Sequence, residues 1–60
     1  EFDMSVLGKI ERYLKRSGKK PSRFGIEAAR DPRLVFDLRD GRILGARLAA
    51  RIESHLESVR

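Results

Sequence analysis

Apolar residues recur along this chain at the spacing of a helical face, in four separate blocks. Val6, Leu7, Ile10, Tyr13 and Leu14 share one side of a segment over 5–16, and Lys9, Arg12, Lys15 and Arg16 take the other sides. Glu11 and Lys15, four apart, form a favourable pair on that helix. Ser17-Gly18 ends it, because glycine takes the left-handed conformation of a helix end without a steric penalty. After the basic connector Lys19-Lys20-Pro21, Ser22 is expected to cap a short second helix over 23–29, with Phe24 and Ala28 inward. Asp31 then reads as the N-cap and Pro32 as the first residue of a third helix over 32–40, with Leu34, Val35 and Leu38 inward and Gly41 as its stop. Arg42 to Leu44 make a short link. A fourth helix follows from about residue 45, its stripe formed by Leu48, Ile52, Leu56 and Val59. No stretch alternates with the period of a strand, so the expected fold class is all-α, a compact bundle of four short helices.

Sixty residues make one small domain with a single core layer. Glu1-Phe2 is the dipeptide an EcoRI cloning site encodes, so residues 1–3 are expected to derive from cloning and 4–60 to form the domain. A fragment cut from a longer protein is the alternative. The chain has no cysteine, which excludes disulfides and thiolate zinc sites and is compatible with a reducing compartment. No apolar run approaches the roughly 18 residues needed to cross a bilayer. Charge changes the picture more. Between Lys9 and Arg51 lie 13 basic and five acidic residues, whereas the flanks together are net negative. A basic middle suits a polyanion such as DNA or RNA, although membrane surfaces and acidic proteins attract it too.

The informative object is the pair of short helices around Arg30-Asp31. A helix-turn-helix needs two helices crossing steeply through a tight turn, the second free to enter a major groove about 12 Å wide. The first needs a large apolar anchor, then a small residue where the helices touch. The second needs inward aliphatics three apart and outward polar groups on its first turns. Phe24, Gly25, Val35 and Leu38 fill these roles, and Asp40-Gly41-Arg42 closes the unit.

Residues 22–56 resemble the helix-turn-helix of the Cro/C1-type (lambda-repressor-like) family. The resemblance runs through Ser22-Arg23-Phe24-Gly25-Ile26-Glu27-Ala28-Ala29, the segment Arg30 to Leu38, and Asp40-Gly41-Arg42, without a gap. Two positions depart from the family pattern. Ala29 stands where the turn glycine is common, and Arg30 replaces a usually apolar residue, so it must turn outward or lay its stem along the surface.

The resemblance implies a DNA-binding domain of a transcriptional regulator, cytoplasmic and associated with the nucleoid. It places base contacts on Pro32, Arg33, Phe36 and Asp37. Arginine to guanine O6/N7 is the commonest specific contact, which singles out Arg33. Phe36 either touches a thymine methyl or adds to the core, and Asp37 orients a neighbouring arginine. Phosphate contacts are expected from Ser22, Arg23, Arg39 and Arg42, then from Lys19, Lys20 and Arg30, with the second helix's free N–H groups beside them. Each of these cations is otherwise a solvated surface charge.

Enzymatic chemistry finds little support. His55 is the only histidine, Asp37 and Asp40 lie among arginines that pair with them, and no phosphate-binding glycine loop is present. No catalytic residue, metal site, cofactor or small-molecule substrate is expected. The rival reading is a protein-interaction module, an adaptor or anti-regulator. Ile26 is expected to project from the second helix, and Ile43, Leu44, Leu56 and Val59 to leave an apolar strip, with a weak homodimer forming through helix 4. RNA binding stays open as well.

Overall fold

The computed structural model describes residues 5–59, which form four helices: α1 (Val6–Ser17), α2 (Pro21–Ala29), α3 (Leu34–Arg39) and α4 (Ala46–Val59). No strand occurs among the described residues, so the fold is all-α. The reading of residues 1–3 as cloning-derived lies outside the described residues. The radius of gyration is 10.4 Å, close to the roughly 10 Å of a fully compact chain this long.

Capping explains most of the helix boundaries. Ser5 starts α1, its hydroxyl accepting from the Gly8 amide at 3.0 Å. Gly18 ends it at φ 76°, its N–H donating to the Leu14 carbonyl. α2 starts two residues earlier than the sequence suggests. Pro21 takes the first position, where a missing N–H costs nothing, and Lys20 is the N-cap. Ser22 therefore lies inside the first turn and does not cap the helix. α3, in contrast, starts late. Pro32 and Arg33 sit in a tight turn in which the Asp31 carboxylate accepts from the Arg33 amide at 3.0 Å and its carbonyl from the Leu34 amide at 3.1 Å. Asp31 thus organises the turn before the helix, and Arg33 occupies the N-cap. At the other end Gly41, at φ 104°, donates to the Leu38 carbonyl while Arg42 N–H donates to the Asp37 carbonyl at 2.9 Å. That is a Schellman closure, with glycine at the left-handed position.

Ile10, Leu14, Phe24, Ala28, Leu34, Val35, Leu38 and Ile52 form the core, drawn from all four helices. Phe24 is fully buried, its ring 5.7 Å from that of Tyr13 and edge-on to His55 at 5.5 Å. His55 Nε2 is buried and has no hydrogen-bond partner among the described residues. The α4 stripe is spent on this core. Ile52 is fully buried, Leu48 and Leu56 pack against it, and Val59 lines a shallow cleft with Tyr13, Arg16 and Ser17. Leu44 also packs on the core, so Leu44, Leu56 and Val59 of the strip anticipated with Ile43 are half-buried. Ile26, and Ile43 of that strip, are exposed as expected, and Phe36 joins them among the described residues.

Candidate nucleic-acid interface

The α2–α3 junction is built on a close backbone approach. Arg30 takes the left-handed conformation (φ 54°) and its N–H donates to the Ile26 carbonyl at 2.9 Å, ending α2. The chain then doubles back so that Asp31 N–H donates to the Gly25 carbonyl at 3.1 Å. Ala29, where the family commonly has its turn glycine, stays helical, and the left-handed position falls one residue later, on Arg30, a residue with a side chain. The Arg30 side chain is exposed and carries no ion pair among the described residues, the outward of its two anticipated solutions.

This junction lays α3 across α2 with Leu34, Val35 and Leu38 buried and Pro32, Arg33 and Phe36 exposed. Arg33 is wide open, its side chain retaining 81% of its accessibility, with Nε 3.9 Å from Asp37 Oδ1. Phe36 retains 48%, so it faces solvent and adds no core. Asp37 is half-buried and accepts from Arg42 Nη1 at 3.4 Å, in line with its expected role of orienting arginines.

The phosphate candidates fare differently from one another. Arg39 is not a free cation. Its Nε and Nη2 donate to the two Glu11 carboxylate oxygens at 2.7 and 2.8 Å, and its guanidinium lies 5.7 Å from the Phe36 ring centre. Glu11 is therefore engaged by α3 rather than by Lys15. The Arg39 guanidinium holds the Glu11 carboxyl below its ordinary range. Arg42 folds back on the turn, donating to Asp31 Oδ2 at 3.1 Å as well as to Asp37. The Asp31 carboxyl is lowered by the Arg33 amide first and by Arg42 next. Lys19 and Arg23 share one carboxylate, that of Glu27, Arg23 Nε at 3.0 Å. Lys19 first, then Arg23, hold Glu27 below its ordinary range. Ser22 is half-buried on α2. Lys20 and Arg30 are exposed, and among the described residues neither carries an ion pair.

Pairing of this kind does not disqualify a surface arginine from meeting phosphate, since exposed ion pairs are worth about 0–1 kcal/mol each. It does reduce the net field of the face. Glu11 and Glu27 are the two residues that sequence reasoning missed. The Arg23–Glu27 spacing of four was legible on α2, whereas Glu11 reaches Arg39 across 28 residues with no local signal. Among the described residues no group of His, Cys, Asp and Glu is placed to hold a metal ion, and no helix is long and apolar enough to cross a membrane.

Comparison of the chain with protein-family models, with curated proteins and with solved structures gives no match.

Proposed function

We propose that this chain is a DNA-binding domain that inserts the segment Pro32 to Phe36 into the major groove and steadies itself on phosphates through residues around it. The observation that carries this reading is the Gly25–Asp31 contact. It brings α2 and α3 together through a turn short enough to leave the outer side of α3 uncovered, while Leu34, Val35 and Leu38 hold its inner side in the core. Arg33 and Phe36 then stand on the uncovered side. Lys20 and Arg30 at the ends of α2 supply cations that carry no ion pair among the described residues, and Arg23, paired with Glu27 yet 70% exposed in its side chain, adds a third cation near the N-terminus of α2.

Fluorescence anisotropy of a labelled random duplex, followed as salt is raised, tests the reading. Three to five phosphate contacts correspond to a log–log slope of about −3 to −4.5, from roughly −0.9 per phosphate. Absence of binding at low salt overturns it. A second reading, an interaction module that docks a protein or a second copy, is favoured by Ile43, 91% exposed, and Ile26, 49% exposed. It predicts that Ile43→Glu abolishes association in sedimentation while leaving duplex binding at its small intrinsic level.

A further inference from the structure

We infer that α3 reads a two-base step, a guanine with a thymine beside it or one pair further on, and that the thymine is recognised through its C5 methyl group by Phe36. The inference rests on the DNA-binding reading and narrows it. Of the residues that face outward at this end of the domain, most are already committed. Asp37 is occupied by Arg42 and lies beside Arg33. Arg39 is gripped by both oxygens of Glu11. Asp40 carries a charge that phosphates repel, and Pro32, in the turn before α3, has only a short ring closed onto its own backbone and reaches less far than Arg33 or Phe36. Reading therefore stops at Phe36, and Arg33 and Phe36 are left to meet bases.

Their chemistries select different edges. A guanidinium presents a fork of donors that matches guanine O6 and N7, and Asp37 Oδ1 lies 3.9 Å from the Nε at its root. A phenyl ring offers no hydrogen bond, so the partner that suits it in the major groove is the one apolar group there, the thymine methyl. Arg39, 5.7 Å from the ring centre and itself anchored, restrains the ring. Arg33 at the N-cap and Phe36 in the first turn of α3 are three positions apart, a spacing of about 5–6 Å at Cβ on a helix, against a rise of about 3.4 Å per base pair. The two contacts accordingly fall on neighbouring or next-but-one pairs.

The test selects duplexes from a randomised library with the full chain, then replaces the enriched thymine by deoxyuridine, which removes only the methyl. Guanine and thymine are expected one or two pairs apart, with affinity falling about fourfold on losing one buried methyl. Phe36→Ala, at an exposed position where truncation spares the core, is expected to bind thymine and deoxyuridine duplexes equally. Arg33→Ala is expected to lose the guanine preference and keep the methyl dependence. Enrichment without a guanine–thymine pair, or methyl dependence that survives Phe36→Ala, overturns the inference and leaves the DNA-binding reading standing. Failure to retain any duplex above background removes that reading and the inference with it.

Discussion

Gly25 and Asp31 touch through their backbones, and a Cβ on Gly25 would stand 2.1 Å from the Asp31 carbonyl oxygen. Real Cβ atoms do not approach so closely, and the obstacle is main chain, which cannot swing aside as a side-chain tip does. Gly25→Ala must push α3 away from α2, breaking the Asp31-to-Gly25 hydrogen bond and opening the core at Leu34. The expected cost is about 3 kcal/mol, a large share of what so small a domain has. Thermal melting by circular dichroism checks it, and an alanine variant melting within two degrees of wild type would contradict the packing.

Arg30 holds φ 54° with a full side chain. The left-handed region costs a residue with a Cβ about 1 kcal/mol or more relative to glycine. Arg30→Gly is therefore expected to raise the melting temperature by several degrees. If Arg30 also meets a phosphate, the same variant lowers the salt slope of duplex binding by about one. A more stable protein with weaker DNA binding is the combined outcome. A drop in stability would show that the arginine stem does more for the fold than its backbone costs.

Acid should loosen the domain through the carboxylates that join α1 to α3 and hold its turns. Glu11, Glu27 and Asp31 are all held below their ordinary values by cationic or amide donors. A carboxyl depressed in the folded state stabilises it fully above the ordinary value, and the contribution is lost as pH falls through the folded value. The melting temperature should thus hold near neutrality and fall below about pH 4.5, the ordinary glutamate value. Glu11→Gln is expected to flatten part of that fall, because Arg39 then loses the charge but keeps a polar neighbour. A melting temperature equal at pH 7 and pH 3 would mean that these pairs contribute nothing to stability.

His55 Nε2 is buried with no hydrogen-bond partner among the described residues, and the His55 ring meets that of Phe24 in a T-shaped contact. Leaving a polar atom unsatisfied in a core costs about 1–3 kcal/mol, and an apolar side chain in its place avoids that cost. His55→Leu is expected to raise the melting temperature at neutral pH, with duplex binding unchanged because α4 stands apart from the reading segment. Destabilisation by this change would reveal a role for the imidazole that its geometry does not disclose.

Local order in this protein was legible from the chain itself. Apolar spacing marked all four helices, Gly18 and Gly41 their stops, and Phe24, Leu34, Val35, Leu38 and Ile52 the core, because helical period and left-handed glycine are properties of a few consecutive residues. Gly25 was legible as the small residue of the junction for the same reason. Starts were read less well. Pro21 outcompeted Ser22 as the opening of α2, and Asp31 turned its carboxylate to a tight turn, since several candidate caps in a row differ little in energy and packing chooses among them. The burial of Leu44 and Leu56 was likewise decided by which neighbours α4 met. The cations depended on tertiary structure most of all. Composition counts Arg39 and Arg42 as free charges. Folding sets Arg39 beside Glu11, 28 residues away, and bends Arg42 back onto Asp31 and Asp37. Charge is fixed residue by residue, but the field a face presents depends on distances between residues remote in the chain, and only the packed helices set those distances.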